Sequence, residues 1–541
     1  MDSFDVTLRP GVLAGAVDER LREWDAGDVA GRLRAKDTTL WSVDDVPELG
    51  DRLGWLDLPA RAAGLFDDLT RIGVDVASAH ATRIVLLGMG GSSLAPEVFQ
   101  RTFGNARGRP RLEVLDTTHP AYIARMAGTI DIDRTIFIVS SKSGGTIETM
   151  SFFRYFWNAA AAQLDNPGRR FIAITDPGTA LEKLAVARSF RRVVYAPADV
   201  GGRYAALSVF GLVPAAIIGV DVRAVIERVV ASDQTATSMS QSAGGRLGAF
   251  LGAAWAAGKD KITLLTSASL AAFVHWAEQL VAESTGKKGR GLVPVVGEPV
   301  LAPRAYGSDR AFVVMTLDGE ASPDVSAFVD AGFPLATMRL RERDDIGCAF
   351  FAWELATALA GCVLGVQPFD QPDVQLAKDF ARRAMTGDTR VAGDTDSAEP
   401  APVAGADFDG WLGDTRAGDY IAVQAFTAPG MAERTALTKV ARALRQHTGL
   451  PVTFEFGPRF LHSTGQLHKG GANNGLFLQI VDQSMHAMSV PETEYSFDGL
   501  IRAQADGDAA ALRARKRRLL RVAVDGSSAR ALEEIASALA R

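Results

Sequence analysis

From Arg83 onward, short runs of β-branched and apolar residues alternate with stretches whose apolar positions recur every three to four residues. The first series of runs covers residues 84–87, 112–115, 135–139, 171–175 and 193–195. Strands separated by helices at this interval predict a parallel sheet with both faces covered. A helical connection over about residues 207–257 leads to a second series at 262–265, 292–296, 311–317, 334–340, 420–426, 452–456 and 476–481. The residues before His80 have helical spacing, strongest over 18–36 and 58–72. Near the end, a basic helix is expected over 508–520 and a last helix over 527–539, opened by Ser527 as its cap.

The pattern divides the chain into a helical segment (1–80), a first α/β domain (81–225), a second α/β domain (226–500) and C-terminal helices (501–541). Between 386 and 410 the sequence turns to Gly, Asp, Ala, Pro and Thr, so a flexible insert is expected inside the second domain.

Length and charge narrow the picture. A chain of 541 residues exceeds one ordinary core, and 47% apolar residues suffice to fill several. The 58 basic residues against 64 acidic ones leave a net charge of -6, which suggests neither nucleic acid nor an anionic membrane as a partner. The first ten residues lack a basic segment followed by an apolar core, and the strongest apolar run, 209–220, is too short to span a bilayer. A soluble, cytoplasmic protein is expected. Cys348 and Cys362 share a stretch that reads as one helix, which separates them by roughly 20 Å and rules out a disulfide between them.

Chemistry concentrates in the turns. The stretch 139–149 follows a buried strand and opens a helix, and it holds Ser141, Lys142, Ser143, Gly144, Gly145 and Thr146. The first N–H groups of a helix have no internal partner, and glycines let the main chain close around an anion. Three hydroxyls and an ammonium beside them predict a cradle for a phosphate ester, against the plainer reading of a capped helix start. The first strand of the series ends in a similar turn, Gly88-Met89-Gly90-Gly91-Ser92-Ser93. Taken alone, that turn also suits a dinucleotide, with Asp116 at the next strand's end as a ribose ligand.

Three further clusters supply acid–base groups. Arg203 follows Gly201 and Gly202 directly before an apolar helix, so it can approach a substrate and stabilise a developing oxyanion. Glu283 lies at the end of a helix that runs into Ser284-Thr285-Gly286-Lys287, where a carboxylate can serve as general base. The segment 459–471 places His462, His468 and Lys469 among polar residues after a strand, and imidazoles both give and take protons near neutrality.

With these clusters in this order, the chain resembles the glucose-6-phosphate isomerase family, most closely the isomerase half of fused transaldolase–isomerase proteins. The likeness runs from about residue 84 to 481 and includes Phe369-Asp370-Gln371-Pro372-Asp373-Val374. It implies two sugar-isomerase (SIS) domains of flavodoxin-like α/β form, with parallel sheets covered by helices, between helical N- and C-terminal segments. It also implies aldose–ketose isomerisation of glucose 6-phosphate and fructose 6-phosphate through a cis-enediol, with no cofactor and no metal.

On this resemblance Ser141, Lys142, Ser143 and Thr146, with Gly91 and Ser92 from the first turn, bind the substrate phosphate. Glu283 is the base, and Arg203 stabilises the enediolate. The family's glycine-glutamine-histidine element corresponds to residues 306–312, Tyr-Gly-Ser-Asp-Arg-Ala-Phe, which hold no histidine. Ring opening then falls to Lys469 with His468, or with His462 beside it. The partners implied are a small sugar phosphate and a second copy of the chain in a homodimer. Two other readings stand beside the isomerase: a non-catalytic sugar-phosphate sensor on the same domains, and an NAD(P)-linked oxidoreductase.

Overall fold

Each apolar run of both series forms a strand. The protein's structure, a computed structural model, describes residues 4–235, 238–373, 379, 399–525 and 528–540. The chain opens on β1 (Phe4–Arg9) and continues through β2 (Arg83–Leu87), β3 (Arg111–Leu115), β4 (Thr135–Ser140), β5 (Phe171–Thr175) and β6 (Arg192–Tyr195). Strands β2 to β6 pair in parallel in the order β3-β2-β4-β5-β6. That order changes direction between β2 and β4. The turns leaving those two strands therefore diverge to opposite faces and open a crevice at the carboxyl edge of the sheet, where ligands bind in such folds.

Next come β7 (Lys261–Thr266), β8 (Val293–Val296), β9 (Arg310–Leu317) and β10 (Leu335–Leu340), then β11 (Ala401–Pro402), β12 (Tyr420–Phe426), β13 (Val452–Phe456), β14 (Gly475–Asp482) and β15 (Arg518–Val524). The strands after residue 226 thus divide between two sheets. One has the order β1-β10-β9-β7-β8, and the other the order β11-β15-β14-β12-β13, parallel throughout. At the direction change of the second sheet, between β7 and β9, the Glu320 carboxylate accepts the Ser269 N–H at 3.0 Å and is bonded by the Ser269 hydroxyl. A side chain of the protein itself fills that place.

Two expected helical termini are corrected. Phe4–Arg9 is a strand that runs antiparallel along β10, with Phe4 opposite Leu340. Its apolar residues, Phe4, Val6 and Leu8, alternate with polar ones, a period of two that covers a sheet edge and cannot form a helical stripe. At the other end the expected 508–520 helix stops at Ala514, and β15 runs from Arg518 beside β14. Lys516 takes a φ of 54°, which breaks the helix and turns the apolar run 519–524 into the sheet. Residues 386–398 of the expected insert, and Ser527 as a cap, lie outside the described residues.

The core of the first two sheets is continuous, and a separate cluster around Leu437, Leu478 and Leu532 fills the third unit. Among the described residues one helix, Arg343–Leu364, is long and apolar enough to cross a membrane, with mean hydropathy 1.7, and 83% of that stretch is buried inside the fold. It carries Cys348 and Cys362, both free thiols that burial pushes up to about 12.

Candidate active site

The turn after β4 leads into the helix Ile147–Ala161. Thr146 stands at its N-cap yet makes no side-chain capping bond. Its hydroxyl lies 3.0 Å from the Ser141 hydroxyl instead. A plain capped helix start would spend that oxygen on the backbone; here two hydroxyls face each other over uncapped N–H groups, as an anion cradle requires. Ser143 is exposed and its Oγ accepts the Gly145 N–H at 3.4 Å. Lys142 reaches away: its ammonium donates to Asp176 Oδ2 at 2.6 Å and to the carbonyls of Ala198 (3.2 Å) and Pro197 (3.4 Å). It ties the cradle to the loops after β5 and β6.

The turn after β2 is fastened to this cradle, because the Ser140 hydroxyl donates to the Ser92 carbonyl at 3.1 Å. Gly91 allows the next contact. A Cβ there would lie 2.1 Å from the Gly202 carbonyl oxygen, so only glycine lets the turn that carries Arg203 lie directly on the first turn. The close approach of these two loops brings Arg203 to the crevice.

Arg203 is buried and fully engaged. Its Nε donates to Ser284 Oγ at 2.9 Å, and its Nη2 donates to the carbonyls of Pro368 (2.5 Å) and Asp370 (2.8 Å). Its Nη1 faces Glu283 Oε1 at 3.3 Å. Glu283 closes the helix Ala271–Thr285, and its other oxygen accepts from Gln279 Nε2 at 3.1 Å, one turn earlier. Gln279 also donates to the His462 carbonyl at 2.7 Å, and its own Oε1 is buried with no hydrogen-bond partner among the described residues. Beside this pair the Lys287 ammonium donates to the Gln367 carbonyl and to Asp370 Oδ1, each at 2.6 Å. Burial and the neighbouring Arg203 charge push Lys287 down to about 7.

The structure brings Glu283 and Arg203 together beside the two glycine turns. The short helix that carries His468 and Lys469 packs on the end of the Glu283 helix, where Gln466 Nε2 donates to the Gly286 carbonyl at 3.0 Å, but the two side chains make their own bonds within the third unit. The Lys469 ammonium pairs with Asp508 at 2.5 Å and donates to the Gly465 carbonyl at 3.3 Å, with both charged side chains buried. His468 Nδ1 faces Gln424 Nε2 at 3.2 Å, and its ring packs edge-on against Phe477. Burial, with Lys469 and Arg517 close by, holds that imidazole well below its ordinary value and keeps it neutral. Both groups on the short helix Gly465–Gly470 therefore close on the third unit itself.

The element at 306–312 is also structural, since Arg310 is buried and pairs with Glu298 at 3.0 Å. Asp116, offered by the sequence as a ribose ligand, is bonded at 2.8 Å by Arg459 instead. Gln279 escaped the sequence reading although its spacing to Glu283, four residues along one helix, was the available signal. Ser284 lay in plain view within the glutamate-serine-threonine-glycine-lysine motif, but its bond to Arg203 crosses 81 residues.

The profile of the family described as phosphoglucose isomerase matches residues 70–290. A glucose-6-phosphate isomerase of Rubrobacter xylanophilus is 30% identical over 418 residues, covering 66% of this chain and 94% of the relative. One of Thermus thermophilus is 28% identical over 385 residues, covering 63% of this chain and 92% of the relative. Among solved structures, a hypothetical protein from Thermus thermophilus superposes with a TM-score of 0.61 at 24% identity, covering 71% of this chain and 100% of that one. A glucose-6-phosphate isomerase from Chlamydia trachomatis gives 0.55 at 17% identity over 72% and 90%. These two structural likenesses bear on the fold alone.

Proposed function

This chain belongs to the phosphoglucose isomerase family and interconverts glucose 6-phosphate and fructose 6-phosphate, and we propose that Glu283 is the base that moves the proton. The contact of Arg203 with Glu283 at the edge of the glycine-turn crevice carries this assignment. Glu283 takes the C2 proton of the open-chain aldose, leaving an enediolate between C1 and C2. Arg203 offsets the charge that develops on oxygen, as a buried, preorganised donor does best. The proton returns to C1 from the same carboxyl while the O2 hydroxyl proton passes to O1, which yields the ketose, so nothing is oxidised overall and no co-reactant is consumed.

We assign Ser141, Ser143, Thr146 and the backbone of the 91–92 turn to the 6-phosphate, with Lys142 acting through its hold on Asp176. A sugar-phosphate sensor would need this cradle but not a base opposite an arginine. We read the β2–β6 unit, about residues 81–225, as the phosphate-binding SIS domain. The same reading puts the enzyme in the cytoplasm as a homodimer, which sedimentation of the purified chain checks. Fructose 6-phosphate formation in a coupled assay, for the wild type and for Glu283→Gln, tests the central assignment. An unchanged rate in the variant excludes Glu283 as the base.

A further inference from the structure

The turn that carries Arg203 rests on one face of the long apolar helix, which is α-helical over Ile346–Leu364. Phe351, Glu354, Ala358 and Gly361 recur on that face at helical spacing. Phe351 packs on Trp55 with ring centroids 6.1 Å apart, and Trp55 packs in turn on Tyr204 at 5.1 Å. The Ala358 carbonyl accepts the Trp41 Nε1 proton at 2.8 Å. A Cβ on Gly361 would lie 3.3 Å from the Pro368 side chain, and the Pro368 carbonyl is one of the acceptors of Arg203. The helix is therefore the floor under the Arg203 turn and under the loop that Arg203 grips.

A carboxyl group stands in that floor. Glu354 is fully buried, and neither of its oxygens has a hydrogen-bond partner among the described residues. The Ala206 amide, three residues after Arg203, faces it outside good hydrogen-bond geometry. The carbonyl of Ala206 is pinned too, since a Cβ on Gly211 would meet it at 2.0 Å. On the same turn the Tyr204 hydroxyl donates to Ser284 Oγ at 3.3 Å, and Ser284 Oγ accepts Arg203 Nε at 2.9 Å.

A buried carboxylate without a cation against it carries a large desolvation cost, so the group keeps its proton: burial holds Glu354 well above its ordinary value. Arg203, Glu354 and Cys362 are the charged or titratable groups that act on Tyr204. Burial keeps Tyr204 and Cys362 neutral, and Arg203 is turned to Glu283.

We propose that Glu354 is a positioning residue for the isomerisation, a buried carboxyl that holds the 202–206 turn, and so Arg203, from beneath. The role rests on the assignment of Arg203 to the enediolate above. An apolar side chain in this place would bury no unpaired oxygen and would stabilise the fold more. An ionised one would give Arg203 a second counter-charge and draw it from the substrate. The uncharged acid presents a polar atom to the amide of the turn and leaves the guanidinium charge for the developing oxyanion.

Kinetics and melting of two variants test this. Glu354→Gln keeps the shape, the absence of charge and an oxygen for the Ala206 amide, so turnover should stay within about threefold of the wild type. Glu354→Leu keeps the volume but frees the turn. Its turnover should fall roughly tenfold to 100-fold, the scale on which small misplacements act, with KM within about threefold and an equal or higher melting temperature. A residue that only supported the fold would instead lower the melting temperature and leave turnover unchanged. Turnover within threefold in Glu354→Leu, or an equal fall in both variants, overturns the proposal. If Glu354→Leu folds poorly, Glu354→Met, equally apolar and more adaptable, takes its place. The infrared difference spectrum between wild type and Glu354→Gln should show a protonated carboxyl C=O band at neutral pH, and its absence also overturns the proposal. Wild-type turnover in Arg203→Lys would overturn the Arg203 assignment itself, and this role with it.

Discussion

Arg203 and Glu283 face each other at 3.3 Å, from a glycine turn of the first unit and a helix end of the second, and both side chains are buried. Neither position is legible from the other in sequence, since 80 residues separate them. On the proposed assignment, the donor and the base are held side by side before substrate arrives.

Glu283→Gln keeps the shape of the side chain and can still bond Gln279, but it cannot accept the C2 proton. The turnover number is expected to drop by roughly 100- to 10,000-fold. Calorimetric binding of fructose 6-phosphate should stay within a few fold, because the phosphate cradle lies on other loops.

Arg203→Lys replaces four directed contacts, to Ser284, Pro368, Asp370 and Glu283, with one ammonium. Loss of a preorganised donor at the enediolate should lower turnover by about 100- to 1,000-fold. Steady-state kinetics beside a thermal melt separates this from a loss of fold.

Ser141→Ala with Thr146→Val removes the facing hydroxyls of the cradle. Hydrogen bonds to a charged group contribute about 1.5–3 kcal/mol each, so KM should rise at least tenfold. Turnover at saturation should change little, because the phosphate is bound equally before and during the reaction.

Gly91→Ala forces a methyl group to within 2.1 Å of the Gly202 carbonyl unless a loop shifts. Overpacking of this kind costs about 1–3 kcal/mol, which a lower melting temperature would report. Turnover should fall as well, since the displaced loop carries Arg203.

Lys287 gives a pH signature. Its value falls from 10.5 to about 7 on folding, so between those values the unfolded chain binds the proton and the folded chain does not. Stability from this group is fully present above pH 10.5 and is lost progressively as pH falls to about 7. Relative to Lys287→Met, the wild type should gain about 2 kcal/mol in denaturant unfolding from pH 7 to pH 9, at about 1.36 kcal/mol per unit at most. A parallel pair of curves would contradict it.

The sequence alone determined the elements and the chemical vocabulary. Period-two and apolar runs located the strands of both series because side-chain burial in a sheet leaves that imprint locally. Ser141, Thr146, Arg203 and Glu283 were legible because turns and helix ends carry fixed residue types for local backbone reasons. What sequence could not carry was partnership. Lys142 is spent on Asp176, Lys469 on Asp508 and His468 on Gln424, and each bond depends on which loop lies opposite. Likewise, β1 and β15 were misread as helical because short amphipathic runs take the form that a neighbouring strand edge offers. Only the packing of the third unit on the first set His462 against Glu148, a contact spanning 314 residues. Hydrogen-bond reach is about 3 Å, so acid–base roles follow from tertiary proximity, while residue type and local pattern supply only the candidates.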